Sequence, residues 1–169
     1  FDSDALYLPG MAPTSEQIAA RRSTYWQPYH QALQDELARL RRIHPQVALW
    51  DAHSIRSVVP RFFDGKLPDF NLGTNNGESC APALAARLLV VCQQAQGYSA
   101  VLNGRFKGGY ITRHYGQPMH GIHAIQLEMA QCGYMQEQPP FAYESGRAER
   151  VQPVLRQLLQ TVLDEMAGR

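Results

Sequence analysis

The apolar positions of this 169-residue chain change period along its length. From Ile18 through Tyr25, Tyr29, Leu33, Leu37 and Leu40 they recur at helical spacing, with Arg21, Asp35, Arg39 and Arg42 between them. Thr14-Ser15-Glu16-Gln17 places an N-cap and a capping-box Gln before this run. Pro28 lacks an amide proton and crowds the preceding turn, which predicts a kink or split near Gln27; Pro45 marks the end. Val47-Ala48-Leu49-Trp50 is a short continuous apolar run, the pattern of a strand buried on both faces, and it is expected to stop at Asp51. Further strands are expected near residues 70–73, over 99–102 and over 124–129, with a brief extended piece at 110–112. Ser79 and Pro82 announce a helix through about residue 96, closed by Gly97 and capped by Ser79. The last helix, from Arg147 or Glu149 to Met166, carries Val151, Val154, Leu158, Val162 and Met166 on one face.

Strands separated by helices predict an α/β fold in one domain spanning residues 1–169, three layers (αβα) around a mainly parallel or mixed sheet. In such sheets functional groups gather beyond the carboxyl ends of the strands. That rule draws Asp51-Ala52-His53-Ser54, Asn103-Gly104-Arg105 and Glu128 toward one cleft. The stretches 60–77 and 103–121, rich in Gly and Pro, are long loops of the kind kept for function, and residues 1–13 are loop-like as well.

Composition narrows the classes. An apolar fraction of 44%, a charged fraction of 18% and a net charge of +1 describe a globular domain without a basic stripe, so nucleic acid is not an expected partner. No apolar run approaches the length of a membrane span. Cys80, Cys92 and Cys132 are odd in number and widely spaced, which fits small buried side chains in a reducing cytoplasm. The chain opens on Phe1-Asp2-Ser3-Asp4 with no initiator Met and no signal-like segment, as a piece from the middle of something longer would.

Several residues could carry chemistry. His53 reads either as a metal ligand whose tautomer a nearby carboxylate sets, or as a satisfied structural histidine. Glu128, on an otherwise apolar strand, is either paired structurally or held for acid/base work. Arg105, Lys107, Arg113 and His114 crowd a Gly-rich loop: they suit a small anionic substrate, and equally an ordinary charged surface. His120 and His123 have the spacing of metal ligands on a helix, but Pro118 and Gly121 argue for a loop. Neither GxGxxG nor GKS/T is present, so no phosphate-binding fingerprint accompanies the glycines.

Longer strings are more specific. Tyr25-Trp26-x-Pro28-Tyr29-His30, Trp50-Asp51-Ala52-His53-Ser54-Ile55, the run from Asp64 to Asn75, the run from Asn103 to Gly116 and Gly121 to Met129 together resemble the N-formylglutamate amidohydrolases, over nearly the whole chain. The resemblance implies a fold similar to zinc carboxypeptidases and aspartoacylases (phosphorylase/hydrolase-like) and zinc-dependent release of formate from N-formyl-L-glutamate in histidine degradation. It implies that His53 is the last zinc ligand in chain order, that Glu128 is the acid/base, and that Arg113 receives a substrate carboxylate, with Arg105 and Lys107 as possible helpers. The family's upstream Pro-His-x-Gly segment and its Asp-Leu-Asn-Arg stretch do not occur here; before His53 the only histidines are His30 and His44. The remaining zinc ligands are therefore expected in an absent N-terminal region. Two other readings stand beside this one: a catalytically incomplete remnant or binding module, and an amidohydrolase for another N-acyl amino acid.

Overall fold

Thr14 starts the first helix through its side chain. Its Oγ1 accepts from the Gln17 amide at 3.2 Å, while Gln17 Oε1 accepts from the Thr14 amide at 3.0 Å, so the capping box closes. The structure, a computed structural model, describes residues 4–169. The first three of the residues expected to be loop-like lie outside it, and 4–13 form neither helix nor strand. Two compact units are present, Phe1–His44 and Pro45–Arg169.

The first unit is helical: α1 (Ser15–Arg21), a π-helical turn (Arg22–Trp26) and α2 (Gln27–Arg41). The expected disturbance at Pro28 takes the form of that turn. The Gln27 amide bonds back to the Arg22 carbonyl, and the wider turn accommodates a proline that has no proton to donate. Ile18, Tyr25 and Tyr29 of the apolar stripe are exposed.

The second unit is built on a four-stranded sheet in the order β1-β4-β2-β3, with β1 at Val47–Ile55, β2 at Phe70–Gly73, β3 at Ala100–Leu102 and β4 at Ile122–Ala130. β1 runs parallel to β4 and β2 parallel to β3, but β2 is antiparallel to β4, so the sheet is mixed. Its helices are α3 (Pro82–Gln94), α4 (Tyr110–Tyr115) and α5 (Ser145–Met166). Among the described residues, no helix is long and apolar enough to cross a membrane.

Three local expectations need correction. β1 does not stop at Asp51; it pairs with β4 at every residue from Val47 to Ile55, so Asp51 and His53 are strand residues. Residues 110–112 open a helix, with Thr112 and Tyr115 buried on one of its sides. Ser79 does not cap α3: the N-cap is Ala81 without a side-chain bond, and Ser79 Oγ donates to the Ala124 carbonyl at 2.8 Å, tying the approach to α3 onto β4.

Strand alternation gives the sheet two unlike faces. On one, Ile125, Leu127, Phe70 and Leu72 pack with Leu84 and Leu88 of α3 and with Val151, Leu158 and Val162 of α5. Each such side chain contributes roughly 1.5–3 kcal/mol by leaving water. The other face carries Asp51, His53, Asn71, Gln126 and Glu128 and receives α4, which packs on β4 and β1. The antiparallel step also changes how the loops reach this face. Asn103 follows β3 at the sheet end opposite the carboxyl ends of β1 and β4, so no shared carboxyl-end cleft forms.

Candidate active site

Because β1 and β4 run side by side in register, His53 stands opposite Glu128 and Asp51 opposite Gln126, all four on one face. His53 Nε2 and Asp51 Oδ1 are 2.7 Å apart, with the His53 side chain half exposed and Asp51 largely covered. Gln126 Nε2 donates to Glu128 Oε2 at 3.3 Å. Glu128 is only 8% exposed, and burial pushes its carboxyl above the usual range. The charge of His53 pulls it back down, Asp51 pushes it up again, and the Gln126 hydrogen bond lowers it slightly. A carboxyl with a raised affinity for protons suits a group that must take one up and pass it on. Asn71, directly opposite Glu128 on β2, donates from Nδ2 to the Glu128 carbonyl at 3.0 Å and to the Pro68 carbonyl at 2.7 Å, which locks the strand that carries the carboxyl.

The loop after β3 reaches this face by crossing β2. A Cβ on Gly73 would lie 2.6 Å from the Gly108 nitrogen, so only glycine lets the two backbones approach so closely. Asn103 bonds to the Thr74 backbone amide (2.8 Å) and to the Thr74 hydroxyl (2.9 Å), and the Asn75 amide donates to the Lys107 carbonyl at 2.6 Å. Gly109 then donates its amide to Gln126 Oε1 at 2.7 Å, which joins the loop to the side chain that also holds Glu128.

The sequence brings four cationic or imidazole side chains to this loop and to α4, and the structure leaves all four exposed. Arg113 Nη1 donates to the Gly108 carbonyl at 2.8 Å. His114 stacks on Tyr110 at 4.8 Å, and the Arg105 guanidinium lies 6.0 Å from the Phe62 ring. Among the described residues, Arg113 bonds to Gly108, and the side-chain hydrogen bonds of the Asp51-His53-Gln126-Glu128 group run within it and to Gly109.

A profile of the N-formylglutamate amidohydrolase family matches residues 1–135 of this sequence. The chain belongs to that family. It is 60% identical over 163 residues to an N-formylglutamate deformylase of Pseudomonas aeruginosa and 56% identical over 163 residues to one of Pseudomonas putida. Each match takes in 96% of this chain but 61% of the relative, so the chain spans about three fifths of the length of these family members. The fold is similar to that of a crystal structure of N-formylglutamate amidohydrolase from Ralstonia eutropha JMP134, with a TM-score of 0.72 at 24% identity. That likeness covers 87% of this chain and 54% of the other.

The family resemblance implies zinc, and the donor set here fits it in part. With Nε2 engaged by Asp51, His53 Nδ1 is the ring atom left to bind a metal, in the carboxylate–histidine arrangement that orients metal-binding imidazoles. Among the described residues no group of three or more His, Cys, Asp or Glu side chains could hold a metal ion, so His53 would be one ligand of a set completed elsewhere.

Other candidates resolve differently. His123 lies on β4 facing the apolar side, where its Nδ1 accepts from the Ala81 amide at 3.1 Å, while His120 sits exposed in a turn. Cys80 and Cys92 are buried free thiols pushed up to about 12 by burial, and Cys132 is free and half-buried. A cleft of about 730 Å³ is lined by Lys66, Asp69, Tyr98, Cys132, Arg147 and Arg150, and contains none of the candidate residues.

Sequence reading does not single out Gln126, Asn71 or Glu137, whose hydrogen bonds position the strands and segments around the candidate site. Gln126 was legible, since it stands two residues before Glu128 and period 2 puts both on one face. Glu137 carries no local signal. Its carboxylate accepts from the Ser57 amide and hydroxyl, each at 2.6 Å, and from the Cys132 amide at 2.9 Å, clamping together the segments that follow β1 and β4.

Proposed function

We propose that this chain supplies the acid/base carboxyl and one zinc ligand of an enzyme that hydrolyses N-formyl-L-glutamate to formate and L-glutamate in histidine degradation. The observation that carries this reading is the buried Glu128 facing the Asp51-oriented His53 across the β1–β4 ladder. The names of the relatives support the substrate assignment. Zinc bound through His53 Nδ1 and ligands from outside this chain would supply Lewis-acid polarisation of the formyl carbonyl.

The chain's own residues do the rest. Glu128 takes the proton of the attacking water and returns it to the departing amine nitrogen, and the burial that raises its affinity for protons suits both transfers. Gln126 holds the carboxyl in place from one side. Arg113, anchored through one nitrogen to Gly108, keeps guanidinium N–H groups for a glutamate carboxylate; Arg105, Lys107 and His114 add positive or donor character around it. The substrate is thus a small anionic N-acyl amino acid, and the unpaired thiols suit action in the cytoplasm.

The test is a fusion of this chain to the part of the Pseudomonas aeruginosa relative that it does not cover. Formate release from N-formyl-L-glutamate, lost with a chelator and regained with zinc, is the expected result. A fusion that folds and binds zinc but releases no formate overturns the substrate assignment, and release from N-acetyl-L-glutamate instead would favour an amidohydrolase for a larger acyl group. The absence of a three-ligand group among the described residues favours one further reading, a catalytically incomplete module in the chain alone. That reading predicts no formate release by this chain without the added segment.

A further inference from the structure

The β1–β4 ladder that sets His53 opposite Glu128 ends at the Ile55–Ala130 pair, two residues farther on. Beyond that pair a side chain takes over from the ladder. The Val47 amide donates to the Gly121 carbonyl, so the odd-numbered amides of β1 face β4, and Ser57 is the next of them after Ile55. Its amide donates to Glu137 Oε1 at 2.6 Å, and the Cys132 amide donates to the same oxygen at 2.9 Å. Glu137 Oε2 accepts from the Ser57 hydroxyl at 2.6 Å. Ser57 and Cys132 keep the offset of the His53–Glu128 pair, each four residues farther along its own segment. One carboxylate therefore gathers the ends of both strands at a matched remove from the pair. The gathered peptides are also fixed from their carbonyl sides. The Ser57 carbonyl accepts from the Leu67 amide at 2.7 Å, and the Cys132 carbonyl accepts from Arg147 Nη1 at 3.3 Å. A strand end without such a tie frays, and fraying at Ile55 reaches His53 next.

We infer that Glu137 is a positioning residue for the proposed hydrolysis: its carboxylate pins the ends of β1 and β4 together and so holds His53 against Glu128. The inference rests on the reading that His53 and Glu128 act in one reaction, and it adds what keeps their spacing fixed. Spacing matters because a displacement of about 1 Å between cooperating groups can cost on the order of a hundredfold in rate. The geometry asks for reach more than for charge. One oxygen must lie within hydrogen-bond distance of amides from two segments while the other meets a hydroxyl. Aspartate, shorter by a methylene, keeps the charge and loses the span. Glutamine keeps the span: its amide oxygen can accept from both amides, and its nitrogen can donate to the Ser57 hydroxyl, which accepts as well as donates. Ser54 Oγ and Tyr134 Oη, 2.8 Å apart, tie β1 to the segment after β4 independently. A shortened side chain at 137 thus loosens the strand ends without releasing that segment.

The experiment compares Glu137→Asp with Glu137→Gln in two settings. In this chain, amide exchange is followed residue by residue. Glu137→Asp should speed exchange about tenfold or more at Ser57, Ile55 and His53 while Leu49 stays protected, and Glu137→Gln should leave all four within about twofold of the unaltered chain. In the fusion described above, Glu137→Asp should lower kcat for formate release about ten- to a hundredfold with KM and zinc content unchanged, and Glu137→Gln should keep kcat within about threefold. Full kcat and unchanged exchange in Glu137→Asp overturn the inference. A glutamine variant as impaired as the aspartate one also overturns it, because charge rather than reach would then matter. So does exchange that rises equally at Leu49, the mark of general destabilisation. Should Glu137→Asp fail to fold, Ser57→Ala removes the hydroxyl bond alone and should speed exchange at Ile55 about threefold, again sparing Leu49; no change at Ile55 counts against the pin. An unaltered fusion that releases no formate sinks the deformylase reading, while the exchange pattern still decides whether Glu137 pins the strands. A working fusion indifferent to Glu137→Asp sinks this inference and spares the deformylase.

Discussion

Leu127 and Glu128 are neighbours on β4 and nearly equal in burial, at 3% and 8% exposure, yet they do opposite things. Leu127 faces the layer formed by α3 and α5, where its environment is made of Phe70, Leu72, Leu84 and Leu88. Glu128 faces the other way, toward Asp51, His53 and Gln126, where burial raises the free energy of its charged form. One face of the strand stabilises the fold, and the other raises the proton affinity of a carboxyl. The same strand serves both because successive side chains point to opposite sides, and neighbouring residues need share no environment.

Substitutions on the two faces should therefore separate activity from stability. The largest effect is expected from Glu128→Gln in the fusion described above: loss of general acid/base catalysis should lower kcat for deformylation roughly 100- to 10,000-fold, while the melting temperature stays level or rises. Retained turnover would remove Glu128 from the chemistry. Leu127→Ala should show the reverse in this chain, a loss of about 2–5 kcal/mol in denaturant unfolding from the cavity left in the apolar layer. If both substitutions destabilise equally, the contrast between the faces is wrong.

Gly73→Ala tests the seam by which the loop reaches the polar face. Its Cβ would meet the Gly108 nitrogen at 2.6 Å and the Lys107 carbonyl carbon at 2.7 Å, neither of which can swing aside like a side chain. A cost of about 1–3 kcal/mol is expected, together with faster exchange of the Gly109 amide as its bond to Gln126 loosens. An unperturbed Gly109 amide would show that the crossing does not hold the loop.

The smallest effect concerns pH. Burial on the apolar side holds His123 below its ordinary value of 6.5, with a weaker opposing pull from Glu165. Below 6.5 the unfolded chain binds a proton at this position that the folded chain refuses. Stability is thus fully present above 6.5 and falls as pH drops toward the depressed folded value. His123→Asn keeps an acceptor for the Ala81 amide and should flatten that part of the unfolding free energy–pH curve. An unchanged slope in the variant would assign the pH dependence to other groups.

The order of elements was legible because it depends on local period and punctuation. The capping box at Thr14, the break at Pro28, the α3 start near Pro82 and the apolar stripe of α5 all arise from residues close in sequence. The errors share a cause. The turn to polar residues at Asp51 predicts a strand end there, whereas pairing with β4 carries β1 on to Ile55. The place of Ser79 before a helix predicts a cap, whereas β4 claims its hydroxyl. Each was decided by a partner more than forty residues away (Ser79 with Ala124, separation 45).

The residues of the candidate site follow the same division. Residue type, long motif strings and strand period determined by themselves that His53 and Glu128 are present, that Gln126 shares a face with Glu128, and that cations populate the 103–114 segment. Tertiary structure alone decided that β1 and β4 are neighbours in register, that β2 runs against β4, and that the loop after β3 returns over Gly73 to reach Gln126. Side-chain alternation is a property of one strand and can be read from it. Register, strand direction and backbone approach are relations between segments, set by which pairings bury the apolar side while leaving every ladder bonded, and no single stretch of sequence contains them.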